Sequence, residues 1–160
     1  MRKDSRQHPH RLATNGFTML ELLVAMAILL VLVTVTLNGM RNYARMQQHT
    51  RIVEEVGHQI HLARQQTLAA KDDSVHGVYV GTDTIEVFAG AVPVVGDPNN
   101  TILNLAGTTQ TATSSFSDGN WYVVFERLTG AASAAGTITI TDNALQRTAT
   151  YTIYSSGLIE

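Results

Sequence analysis

Gly16-Phe17-Thr18-Met19-Leu20-Glu21-Leu22-Leu23 opens the stretch that decides the fold, and it runs on into Val24-Ala25-Met26-Ala27-Ile28-Leu29-Leu30-Val31-Leu32-Val33. From Phe17 to Leu37 there are 21 residues with one charge, Glu21, and three threonines as the remaining polar interruptions. That length matches the roughly 20 apolar residues a helix needs to cross about 30 Å of hydrocarbon. No proline or glycine falls between Phe17 and Asn38, so nothing in the stretch breaks a helix. The expectation is a membrane-spanning helix.

Glu21 is the exception within it. A carboxylate near the start of a lipid-spanning segment is unfavourable by up to a few kcal/mol, less at the interface than at the centre. Left alone, it must neutralise or find a cation. A cut after Gly16 would give Phe17 a free amine four residues before Glu21. Glu21 can then pair with its own amine or, in an assembly of parallel helices, with the amine of a neighbour. A pair between neighbours would set the axial register of one helix against the next.

Gly16-Phe17-Thr18-Met19-Leu20-Glu21-Leu22-Leu23 behind a short basic leader resembles the class III signal of type IV prepilins and type II secretion pseudopilins. The resemblance implies cleavage between Gly16 and Phe17 by a membrane aspartyl prepilin peptidase, followed by N-methylation of Phe17. It gives Glu21 the assembly role of the family's glutamate five residues after the cut. It also implies partners: other pilins or pseudopilins in a hetero-oligomeric filament, the peptidase/methylase, and an inner-membrane assembly platform driven by a cytoplasmic ATPase.

Charge divides along the chain. The leader, residues 1–16, holds Arg2, Lys3, Arg6 and Arg11 against Asp4; of 11 basic and 13 acidic residues in all, 7 and 12 therefore follow Gly16, a net of −5. A basic leader stays cytoplasmic and puts the C-terminal part in the periplasm. Arg41, Arg45 and Arg51 on the other flank weaken this argument, so the motif decides the orientation. An ordinary secretory signal is cut after its apolar run; here the glycine comes first, so the anchor survives processing. The chain has no cysteine, which removes disulfides, thiolate metal sites and cysteine nucleophiles. Many major type IV pilins close a C-terminal loop with a disulfide, and this chain departs from that pattern.

Asn38-Gly39 interrupts the apolar run where it would leave the bilayer. Glycine costs about 1 kcal/mol relative to alanine inside a helix, and asparagine is a poor helix former. Many members of the resembled family have proline at the place of Asn38. The dipeptide is expected to be a weak point, where the helix bends or locally melts as it packs into a filament. From Met40 to Ala70, Met46, Thr50, Val53, Val56 (or Gly57), Ile60, Ala63 and Thr67 recur at three- and four-residue steps. They define an apolar stripe that needs something to lie against. One helix from Phe17 to Ala70 would be about 80 Å long at 1.5 Å per residue, ended by Lys71-Asp72-Asp73.

The remainder reads as strands. Val75–Val80 and Thr84–Phe88 flank a Gly81-Thr82-Asp83 turn. Pro93 and Gly96-Asp97-Pro98-Asn99-Asn100 mark loops, Thr101–Leu105 is a short strand, and Gly107–Ser117 reads as a polar loop. The unbroken apolar run Trp121-Tyr122-Val123-Val124-Phe125 reads as a central strand, with Trp121 and Tyr122 in the core. Gly130–Gly136 is a low-complexity loop. Thr137–Thr141 and Ala149–Tyr154 alternate strictly and are joined by a hairpin at Asp142–Arg147. The last 89 residues, 72–160, are few for a free-standing core, so the amphipathic half of the helix must supply a layer.

The expected fold class is therefore α+β: a long N-terminal α-helix packed on an antiparallel β-sheet or β-sandwich. Its expected parts are the leader (1–16), a transmembrane and filament-core helix (17–38), an amphipathic second half (39–71) and a periplasmic β-rich domain (72–160). The end, Thr150-Tyr151-Thr152-Ile153-Tyr154-Ser155-Ser156-Gly157-Leu158-Ile159, resembles the C-terminal strand of the GspH/FimT-type pseudopilins. DNA-uptake members of that branch carry an arginine-rich motif after the glycine; here Gly157 is followed by Leu158-Ile159-Glu160.

Other constellations carry less. Glu54, His58 and His61 fall at i, i+4 and i+7, a spacing that suits metal ligands and equally a solvated helix face. Ser155, Ser156 and His76 have no Gly-x-Ser-x-Gly elbow or placed Asp-His pair around them, and no glycine pattern forms a phosphate loop. No cofactor, metal, small-molecule substrate or catalytic residue is expected. Nucleic acid binding calls for a basic surface, and the net −5 after Gly16 opposes it, with Arg127 and Arg147 the remaining local candidates. The expected function is a structural one: a minor pseudopilin of type II secretion, with a minor, FimT-like type IV pilin in pilus biogenesis or DNA uptake as the alternative.

Overall fold

The computed structural model of the protein describes residues 17–160; the expected leader and Gly16 lie outside the described residues. Helix α1 runs over Met19–Leu68. Thr18 caps its start: the Thr18 hydroxyl oxygen accepts the Glu21 N–H at 3.2 Å, which satisfies one of the donors a helix N-terminus leaves open. At the other end Ala70 turns left-handed (φ 50°), and a 3-10 turn, Lys71–Asp73, follows. The expected terminator is thus where the helix stops, through a left-handed residue beyond its last turn.

The chain forms two compact units, one ending at Asn42 and one covering Tyr43–Glu160. In the first, α1 is long and apolar enough to cross a membrane, and its large side chains are exposed. Thr34 and Thr36 turn their hydroxyls onto the carbonyls of Leu30, Val31 and Leu32 at 2.8 Å, so these two hydroxyls are satisfied within the helix.

The second unit holds seven strands in two antiparallel sheets. β1 (His76–Val80), β2 (Thr84–Ala89), β3 (Thr101–Asn104) and β5 (Tyr122–Val124) form one, in the order β3-β2-β1-β5. β4 (Gln110–Phe116), β6 (Gly136–Asp142) and β7 (Arg147–Ile153) form the other, in the order β4-β6-β7. The later part of α1 packs against both: Val56, Ile60 and Ala63 join Val78, Val80, Ile85, Val87, Val123, Phe125, Ile138, Ile140 and Ile153 in one core. The architecture is α+β, a helix on antiparallel sheets. The buried face departs from the stripe at its start, where Met46 is 44% exposed and Thr50 is exposed while His49 between them is buried, and follows it from Val56 through Gly57, Ile60 and Ala63 to Thr67.

Three expectations need correction. Gly107–Ser117 is not a loop throughout; it contains β4, paired with β6 from Gln110↔Asp142 to Phe116↔Gly136. Its Thr111, Thr113 and Ser115 occupy the outer face, opposite Thr141, Thr139 and Thr137, while Gln110, Ala112 and Phe116 are buried. Between Gln110 and Phe116 the inward residues, Ala112 and Ser114, are small where they stand opposite Ile140 and Ile138, and that hid the alternation. β5 is not central but lies at a sheet edge. The segment after it covers that edge: the Ser133 N–H donates to the Val124 carbonyl at 2.8 Å, and Phe125 bridges to Ala132. Trp121 is not in the core; it is 58% exposed.

Candidate functional site

The expected site residues lie at the head of α1. Phe17 is 79% exposed and precedes the first helical residue. Glu21 sits in the first helical turn, where a negative charge is favoured by the partial positive charge of the helix N-terminus. Its backbone N–H is taken by Thr18. Among the described residues its carboxylate has no ion-pair partner, the one salt bridge being Arg127–Asp73 at 2.7 Å. Thr18 is the participant that the sequence reading missed. Thr18-Met19-Leu20-Glu21 has the Ser/Thr-x-x-Glu spacing of a capping box, and that spacing was its signal. Asn38 and Gly39 lie within α1, which continues through both; an added Cβ at Gly39 would meet nothing within 4 Å.

The profile of the prokaryotic N-terminal methylation motif matches residues 11–37. The chain carries that motif. It marks a type IV pilin-like N-terminus, and proteins with it are processed and assembled as subunits of pili and related filaments. The match ends at Leu37, just before Asn38-Gly39. No curated protein and no solved structure matches the chain.

The other candidates are dispersed. Glu54, His58 and His61 are exposed on α1, and among the described residues no group of three or more His, Asp or Glu is placed to hold a metal ion. His49 is buried, its Nδ1 3.3 Å from Gln110 Oε1. His76 is buried in β1; desolvation lowers its pKa from 6.5, and nearby Lys71 adds to this. Ser155 and Ser156 occupy an exposed turn after β7. Arg127 is tied to Asp73, and Arg147 stands opposite Asp142 at the start of β7. Burial pushes the Asp142 carboxyl up, but N–H donors from Leu145 and Ala144 and the Thr109 hydroxyl outweigh it and hold the pKa below its ordinary value.

The C-terminal residues are absorbed into structure. Glu160 exchanges backbone hydrogen bonds with Thr152 at 2.7 and 3.0 Å, Ile159 bridges to Ile153, and the Tyr154 hydroxyl donates to Glu160 Oε2 at 3.1 Å. Gly157 has a left-handed backbone (φ 78°) and packs directly on Gly130.

Proposed function

We propose that the chain is a structural subunit of a type IV pilin-like filament, and within that class a minor pseudopilin of the type II secretion pseudopilus acting in protein export. The observation that carries this reading is the Glu21 carboxylate, without an ion-pair partner among the described residues, in the first turn of α1 and inside an otherwise apolar segment that matches the methylation motif.

The leader is removed between Gly16 and Phe17, and Phe17 is methylated. The helix, 17–38, holds the subunit in the inner membrane, with the leader cytoplasmic and the β-rich part periplasmic, and then enters the filament core. Glu21 meets the Phe17 amine of an adjacent subunit in a medium where a charge pair is weakly screened. Asn38-Gly39 lets the helix yield during packing. The domain beyond it faces neighbours or cargo and has no catalytic role. A FimT-like minor type IV pilin would share the same N-terminus, but the acidic balance after Gly16 and the Leu158-Ile159-Glu160 ending do not suit DNA.

Co-expression with a prepilin peptidase and the partner subunits tests this. Glu21→Ala is expected to be inserted and trimmed normally yet to be depleted from sheared filaments, whereas Gly16→Leu is expected to keep its leader. Wild-type levels of Glu21→Ala in filaments would refute the register pair. A wild-type protein whose N-terminal residue is still Met1 would refute the processing.

A further inference from the structure

The outward face of the β3-β2-β1-β5 sheet carries a cleft of about 350 Å³ beside β5. Its lining includes Tyr122 and Val124 of β5, Asp118 and Asn120 of the turn before that strand, and Glu126 and Ser133 of the segment after it. The aromatic ring in it is held firmly. Tyr122 meets Phe88 edge to face, with centroids 6.0 Å apart and planes at 79°. Phe88, only 1% exposed, lies over Gly77, where an added Cβ would come within 2.6 Å of the ring. A glycine inside a strand weakens it, and a close approach of this kind is what it accommodates.

The cleft's free hydrogen-bonding capacity lies mainly with acceptors. Asn120 turns both its backbone N–H and its side-chain Nδ2 to the Asp118 carboxylate, at 3.1 and 2.8 Å, which leaves its Oδ1 free. These two bonds hold Asp118 ionised, its pKa lowered. Ser133 Oγ accepts the Val124 N–H at 3.1 Å, and Glu126 accepts the Thr129 hydroxyl with one oxygen. Among the described residues no basic side chain lines the cleft, and Arg127, next to Glu126 in sequence, is committed to Asp73. Two carboxylates, a free amide oxygen and an aromatic ring complement a group that only donates and carries positive charge.

We infer that this cleft receives an arginine or lysine side chain of a partner protein, its cation between Asp118 and Glu126 and against the Tyr122 ring. Charge complementarity selects that occupant: the acceptors would repel a carboxylate or phosphate, and a neutral sugar would leave both charges uncompensated. The inference rests on the cleft alone and not on the filament reading, so either can fail without the other.

The test is a titration of the full-length protein in neutral-detergent micelles with N-acetyl-arginine amide, following the backbone amide resonances of Asn120, Tyr122 and Ser133. The expected result is a weak, saturable shift of these resonances, because exposed charge contacts are weak. Raising the salt from roughly 20 to 300 mM should loosen binding. Asp118→Asn and Glu126→Gln, both at exposed positions, should each weaken it by about threefold or more. N-acetyl-citrulline amide, the neutral isostere, should not bind. Equal binding of the citrulline probe or of cellobiose, indifference to both substitutions, or no shift up to about 100 mM probe would each overturn the inference.

Discussion

The Tyr151 hydroxyl donates to the main-chain carbonyl of Val53 at 2.9 Å, joining β7 to α1 across 98 residues of sequence. Burial, with Glu54 nearby, raises the pKa of this phenol. The bond holds the ring against Gly57, whose ideal Cβ would lie 2.6 Å from the Tyr151 oxygen. Tyr151→Phe keeps the packing and removes only the bond. It is expected to lower stability by about 1 kcal/mol, read as an earlier urea midpoint with an unchanged slope. An unaltered midpoint would show that the bond contributes nothing net.

Gly157 is constrained twice, by its left-handed backbone and by the carbonyl of Gly130, which an added Cβ would strike. Backbone atoms cannot step aside as the end of a long side chain can. Gly157→Ala is expected to cost about 2 kcal/mol or more, measured by urea unfolding, and to disturb the Gly130 turn. A variant as stable as the parent would mean that the two turns separate freely.

His76 makes stability depend on pH near neutrality. Its folded pKa lies below the ordinary value of 6.5, so the unfolded chain takes up a proton first. The stabilisation is complete above about pH 6.5 and declines as pH falls from there to the lowered folded value. Asp142 is depressed in the carboxylate range, so its contribution is lost only in stronger acid, as pH falls through its own folded value. Urea midpoints should therefore drop between pH 7.5 and 5.5, and His76→Asn should flatten that slope. The same slope in the variant would remove His76 as its source.

Glu86 is 2% exposed although it faces away from the core. Its Oε2 accepts the Gly96 N–H and the Asn100 side-chain amide, both at 2.9 Å. It thereby ties down a loop that presents Val92, Val94 and Val95 to solvent. Glu86→Ala would remove the acceptor of the Gly96 N–H and one of the two acceptors of the Asn100 side-chain amide, which keeps the Val94 carbonyl, at about 1 kcal/mol, and should open Ala91–Asn100 to limited proteolysis. Glu86→Gln, which keeps an acceptor oxygen, should be cut more slowly; equal protection in all three proteins would show that the loop holds itself.

The parts of this fold legible in sequence are those with a strong local signal. The apolar stretch with its single glutamate, the Gly81-Thr82-Asp83 hairpin and the alternation of β6 and β7 each announce themselves within a few residues. β4 did not, because its inward Ala112 and Ser114 are small and the Ile140 and Ile138 they stand opposite lie on another strand. β5 looked central because both its faces are apolar; Phe88 accounts for one face, and no local pattern shows that. At the head of α1, Glu21 stood out by charge, whereas Thr18 was hidden among the polar interruptions. The Glu86 latch and the cleft beside β5 depend on contacts between separate loops, which periodicity does not encode.

The shared core of α1 and the sheets has a consequence for how the molecule is made. Ribosomes deliver α1 before the strands it packs on, and Ile153 of the same core follows Ala63 by 90 residues, so Val56, Ile60 and Ala63 wait through that interval without all their partners. Contacts this distant in sequence form slowly, and in the interval a greasy stripe is open to misassociation. Biogenesis of this protein should therefore be more sensitive to the supply of chaperones than its finished stability would suggest.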